Sequence, residues 1–186
     1  MTQADARRGV TIIPFGGKVP HIADSAFIAP GCVIIGDVTV GEEASIWYNC
    51  VIRADVDRIT IGARTNIQDG SIIHCDHGFP TLIGDDVLVG HMVMLHGCTL
   101  QDRAFVGLSS IVMNACMIEG DAMLAAGAML TQGKHIASRE LWGGRPAAKM
   151  RDLTEGAILE MRMGVAHYVH NAKRHSEAVA AGYETA

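Results

Sequence analysis

The chain has 186 residues, 49% of them apolar, with 15 Lys and Arg against 20 Asp and Glu for a net charge of -5. That length suits one globular domain, able to bury roughly 70% of the surface its unfolded chain would expose. The acidic balance and the lack of a basic block argue against nucleic acid as a partner, and the longest apolar stretch, residues 122–130, is broken by Gly127 and far short of the roughly 20 residues that span a bilayer.

In chain order, residues 1–20 read as a lead-in segment. Their start, MTQADARRGV, lacks the apolar core of a secretory signal, so a cytoplasmic location is expected. Five cysteines at spacings of 18, 25, 23 and 18 form no CxxC pair and no even framework, which points to reduced thiols.

Residues 21–138 carry a repeat. Aliphatic side chains stand at Ile22, Ile28, Ile34, Val40, Ile46, Ile52, Ile61, Ile67, Ile73, Ile83, Val89, Leu95, Leu100, Val106, Val112, Ile118, Leu124 and Leu130. The step is six residues with three faults: Ile52 to Ile61 is three longer, Ile73 to Ile83 is four longer, and Leu95 to Leu100 is one shorter. Four residues after nearly every one comes a compact residue, among them Cys50, Val56, Ser71, Val93, Thr99 and Cys116. Neither a 3.6-residue period nor simple alternation gives this pattern. A coil of short parallel strands does, each hexad supplying one flat side and one corner. The expected fold is an all-β solenoid, a three-sided parallel β-helix of about six coils.

Residues 139–186 change character. GGRPAAKM reads as a turn-rich exit, after which Ile158, Met161, Val165, Tyr168 and Ala172 recur at helical spacing. Thr154 is the expected N-cap and Gly182 the expected stop of a C-terminal α-helix laid along one side of the coil.

Hexads three apart stack about 4.8 Å apart. One column of second positions then reads Ile35, Arg53, His74, His96, Met113, Thr131, placing His74 and His96 on adjacent rungs. Third positions on the preceding side read Pro30, Tyr48, Asp69, His91, Leu108, Ala126, so His91 lies around a corner from the other two. Two stacked imidazoles can share a zinc ion, and a third from a neighbouring copy would complete a site with an open position. A ring of three copies with heterologous interfaces satisfies this, giving a C3 homotrimer with three interfacial sites. Arg53 and Asp69, one rung below His74 and His91, should meet across the same interface.

At these residues the sequence resembles the gamma-class carbonic anhydrase family, from PFGGKVPHI (14–22) through IRAD (52–55), NIQDGSIIH (66–74) and VGHMVMLHGC (89–98) to GRPA (144–147). The resemblance implies a left-handed coil and metal ligation by His74 and His96 of one subunit and His91 of the next. It also implies intersubunit ion pairs from Arg53, Asp55 and Asp69, and Asn66 and Gln68 beside the metal-bound solvent, with Tyr168 on the helix near the pocket. The implied activity is hydration of CO2 to bicarbonate by a metal-bound hydroxide, with Zn(2+), Fe(2+) or Co(2+) all suited to three imidazoles. Two departures bear on proton transfer. Val56, not a glutamate, follows Asp55, and the insertion after His74 is only CDHGFPT (75–81), without the acidic shuttle loop; His77 or Asp76 could substitute, and hydration would otherwise be slow. Cys75 reads as a bystander thiol. Alternatives on the same scaffold are an acyl-CoA thioesterase or acyltransferase, or a metal-stabilised trimer that binds an unidentified protein partner.

Overall fold

The structure, a computed structural model, describes residues 7–182. The first six and last four residues, which belong to the lead-in and tail of the sequence reading, lie outside the described residues.

The aliphatic clock builds a parallel solenoid with three columns of stacked rungs. One runs Ile12, Ile34, Ile52, Ile73, Leu95, Val112, Leu130. The second runs Ile28, Ile46, Ile67, Val89, Val106, Leu124, Trp142. The third runs Ile22, Val40, Ile61, Ile83, Leu100, Ile118, Ile136. Each rung points its aliphatic residue inward, and nearly all are fully buried, each worth about 1.5–3 kcal/mol of burial. The stack has about seven turns where the sequence predicted six. Ile12 caps it at one end, and at the other Ile136 and Trp142 continue it past Leu130.

Corners turn on a left-handed backbone residue three positions after the interior aliphatic. Asn49, Arg64, Asp86, Met92, Arg103, Ser109 and Ala115 all take φ between 55° and 65°. Two expected corner residues are misplaced. Val56 is exposed, because the three extra residues after Ile52 carry it out on the long strand Val51–Ile61 while Ala54 and Ile59 are buried instead. Thr99 is only half-buried, because the shortened hexad turns at Gly97 and puts Cys98 in the corner. The long strand pairs with Val33–Val40, and the register shifts where Gly36 meets it. There φ is +78°, and a Cβ would sit 2.2 Å from the Ala54 carbonyl oxygen, so the bend admits only glycine.

The exit is an antiparallel hairpin of Glu140–Gly144 and Ala147–Asp152. It delivers the chain to a helix, Glu155–Ala181, capped at its start by Thr154, whose hydroxyl accepts the Ala157 N–H at 3.2 Å, and closed by Gly182. Ile158, Met161, Val165, Ala172 and Val179 form its buried stripe. Tyr168 meets the edge of the buried Trp47 ring at 5.2 Å, and His175 meets it at 4.8 Å. No described helix is long and apolar enough to cross a membrane.

Candidate metal centre

His74 and His96 end two neighbouring strands, Ile72–His74 and Met94–His96, and are direct register partners. Ile73 and Leu95, the residue before each, are fully buried, which fixes both imidazoles on the outer face. Their rings lie 5.0 Å apart at 65°, with His74 Nδ1 3.0 Å from His96 Nε2. Thr81, fully buried at the end of the short insertion, stitches the two strands. Its hydroxyl donates to the His74 carbonyl and accepts the Gly97 N–H.

The outer nitrogens of the pair are committed. His74 Nε2 lies 2.9 Å from Asp55 Oδ1, and His96 Nδ1 lies 2.6 Å from Asn114 Oδ1. The Asn114 orientation follows from its other contact, in which Nδ2 donates to Asp76 Oδ2 at 2.8 Å, since a carboxylate only accepts. Asp55 likewise only accepts, so both outer nitrogens must be N–H donors. Three contacts around the two rings therefore ask for three protons, whereas two neutral imidazoles carry two. The gap between His74 Nδ1 and His96 Nε2 is thus a place for a shared proton or for a cation that takes both lone pairs.

Arg53 forms a close ion pair with Asp55 on the same strand. Burial raises the Asp55 carboxyl, but hydrogen bonds from His74 and Arg53 outweigh it and hold the group below the usual carboxylate range. His91 is exposed at the corner after the Leu88–Val89 strand, and its Nδ1 lies 2.8 Å from Asp69 Oδ2. Within one chain Asp69 thus serves His91, and Arg53 serves Asp55. Among the described residues, no three His, Cys, Asp or Glu side chains of a single chain converge to hold a metal ion.

Asn66 and Gln68 are buried on the same rung. Asn66 Nδ2 points to the Val87 carbonyl at 3.4 Å, which turns its Oδ1 toward Gln68 Nε2 at 3.0 Å. Gln68 Oε1 is left as the uncommitted acceptor. Tyr168 packs on Trp47, and burial together with the Asp69 charge raises its phenol. His77 is exposed at the tip of the 75–81 loop, where Asp76 and Phe79 bridge. Cys75 is buried, donates to the Asp57 carbonyl at 3.1 Å, and has its thiol pushed up by desolvation, which disfavours the reactive thiolate.

Sequence reasoning missed Asn114 and Thr81. Asn114 was within reach: third positions along the histidine column read Gly36, Ala54, Cys75, Gly97 and then Asn114, the first of them with a carboxamide. A cavity of about 410 Å³ beside the helix, walled by Leu88, Phe105, Met161 and Val165, contains none of these histidines.

The family model described as bacterial transferase hexapeptide (six repeats) matches residues 20–54. Gamma carbonic anhydrase 2, mitochondrial, of Arabidopsis thaliana is 39% identical over 94% of this chain, which spans 65% of that relative's length. The carbonic anhydrase of Geobacillus kaustophilus is 45% identical over 87% of this chain and 89% of its own. A solved Bacillus cereus structure, described as a putative acetyltransferase and the product of the BC4754 gene, superposes with a TM-score of 0.90 at 40% identity, covering 91% of this chain and 99% of that one. With relatives at about 40% identity matched over most of the chain, the chain belongs to the gamma-class carbonic anhydrase family of hexapeptide-repeat proteins.

Proposed function

We propose that this protein is a homotrimeric, metal-dependent carbonic anhydrase whose sites lie between subunits, each holding a divalent cation by His74 and His96 of one copy and His91 of the next. The observation that carries the reading is the second partner of each ring. Asp55, Asn114 and Asp69 accept one ring N–H from His74, His96 and His91 respectively, and leave a lone pair on the other nitrogen. Ligating histidines are characteristically held this way. An exposed apolar patch beside His91, with Met92 at 70% and Leu108 at 53% exposure and Ile72 and Met94 nearby, supports a second copy docking there. The donor set suits zinc, with iron(II) or cobalt(II) also accepted by three imidazoles.

When bound, such a cation lowers the pKa of coordinated water toward 7 and so supplies a nucleophile at neutral pH. The chain's own residues do the rest. Gln68 Oε1 accepts a hydrogen bond from the attacking water and orients its lone pair toward CO2, and Asn66 keeps the Gln68 amide from rotating. Arg53 and Asp55 fix the His74 ring. Tyr168, held by its edge contact with the buried Trp47, would supply apolar surface beside the site. Asp76 is tied to Asn114, which leaves the exposed His77 imidazole as the group of the short insertion placed to pass protons to solvent.

A second reading, acyl transfer or thioester hydrolysis, is favoured by the description of the Bacillus cereus neighbour. Against it, the cations near the exit that would meet coenzyme phosphates are engaged: Arg139 with Glu155, Lys149 with Glu140 and Asp152, Arg145 with the Gly127 carbonyl and Arg151 with the Asp152 carbonyl. Protein loaded with Zn(II), Co(II) or anaerobic Fe(II) is assayed by stopped flow for CO2 hydration and in parallel for acyl-CoA hydrolysis. Hydration above the metal-free background is expected with at least one metal. Its absence with all three defeats the anhydrase reading, acyl-CoA turnover then favours the second, and inactivity in both favours a binding scaffold.

A further inference from the structure

We propose that Asn114 and Asp76 act together as positioning residues for His96, fixing which of its nitrogens carries the lone pair. The inference rests on the reading of His96 as a metal ligand. Asn114 sits one rung up and one position on, above Gly97, and its Oδ1 takes the His96 Nδ1 proton at 2.6 Å. A carboxamide is ambiguous, since its oxygen and nitrogen can exchange places by rotation. With nitrogen toward His96 it would demand the opposite tautomer, placing the lone pair on Nδ1 and the proton on Nε2, where the His74 lone pair and the cation belong. Asp76 removes the ambiguity. Its carboxylate, reaching from the short insertion, accepts Asn114 Nδ2 at 2.8 Å and so forces Oδ1 toward the imidazole.

Space for this arrangement is built into the coil. A Cβ on Gly97 would lie 2.5 Å from Asn114 Oδ1 and 2.9 Å from the Phe79 Cβ, so the residue after His96 has to be glycine for the carboxamide to fold down over it. Asn114 and the insertion loop thus meet above His96, and the loop that lacks an acidic shuttle segment has its carboxylate engaged in orienting a ligand. Asp55 performs the same service for His74 directly, at 2.9 Å. The two rings are set as mirror partners, one by a carboxylate and one by a carboxamide that a carboxylate locks.

The experiment uses the whole protein with Asn114→Ala, Asn114→Asp and the exchange double variant Asp76→Asn/Asn114→Asp, each confirmed as a folded coil by circular dichroism. Histidine 15N long-range NMR on metal-free protein, at mildly alkaline pH where free imidazoles are neutral, reports which His96 nitrogen is protonated. Wild type is expected to carry the proton on Nδ1. Asn114→Ala should move it to Nε2, the form free imidazole prefers. Co(II) affinity should fall with it, by about ten- to a hundredfold. Asn114→Asp alone sets two carboxylates face to face and should weaken Co(II) binding. The exchange variant restores one acceptor and one donor, and should recover both the Nδ1–H signal and most of the affinity. A wild-type proton on Nε2, an unchanged tautomer in Asn114→Ala, or no recovery in the exchange variant overturns the proposal. Failure of wild type to bind Co(II) would instead strike the metal-site reading, while the tautomer measurement still decides the role of Asn114.

Discussion

A mixing experiment tests the geometry of the proposed seam most directly. His91 and the His74–His96 pair do not come together within one chain, so His74→Ala and His91→Ala should each strip metal from their own homotrimers, although they damage opposite sides of every interface. Chains of the two variants, unfolded together in equal amounts and refolded, assort into mixed trimers. A seam regains all three rings only when its pair side comes from a His91→Ala chain and its single side from a His74→Ala chain. Each condition has an even chance, so about one quarter of the wild-type metal content should return in a ring of heterologous interfaces. Inductively coupled plasma mass spectrometry on the desalted mixture reads this number, and light scattering checks that all three preparations assemble equally. Recovery near zero, with both parents folded and trimeric, would refute complementation across the seam. Stoichiometric metal in the His91→Ala parent would refute the participation of His91 altogether.

Three further outcomes follow from the structure. Leu95→Ala, at a fully buried rung between Ile73 and Val112, should cost about 2–5 kcal/mol in urea unfolding and weaken metal uptake by loosening the strand that carries His96; a loss under about 1 kcal/mol would show that the coil collapses around the gap. Asp55 titrates below the ordinary carboxylate range in the fold, so its contribution to stability is complete above about pH 4 and is lost as pH falls through the depressed folded value; Arg53→Ala should move that loss to higher pH, as read by carboxyl 13C shifts of Asp55. All five cysteines are buried, with the Cys98 thiol pushed up to about 12 by desolvation, so native protein should react negligibly with a thiol reagent at pH 7 and yield all five on denaturation; a fast native phase assigned to Cys75 would overturn its reading as a bystander.

The columns were legible because a solenoid converts an interval in sequence into a distance in space. Once Ile73 and Leu95 are recognised as stacked, His74 and His96 must be neighbours, with no knowledge of loops required. The same reasoning failed wherever the interval changed. After Ile52 the longer step gave no indication whether its extra residues bulge or extend, and they extend, exposing Val56. At Leu95 the short step moved the corner from Thr99 to Cys98. Corners themselves are poorly marked, since Arg64, Met92 and Arg103 hold left-handed backbone at a cost on the order of 1 kcal/mol each, and only the ladders above and below compel them.

The site divides along the same line. Residue types on a column specify which groups are near one another, whereas hydrogen-bond direction decides what they can do. His74, His91 and His96 could be found by counting, but a histidine offers either nitrogen, and only the acceptors Asp55, Asp69 and Asn114 determine which lone pair remains. Gln68 poses the same problem, resolved two contacts away by a backbone carbonyl at Val87 that orients Asn66. Such chains end on groups whose role cannot be inverted: a carboxylate, which only accepts, or a carbonyl fixed by the ladder. A change at the terminal group should therefore reverse the chemistry offered at the proposed cation site without moving a backbone atom. This makes Asp76, which touches neither histidine, a more discriminating target than the ligands themselves.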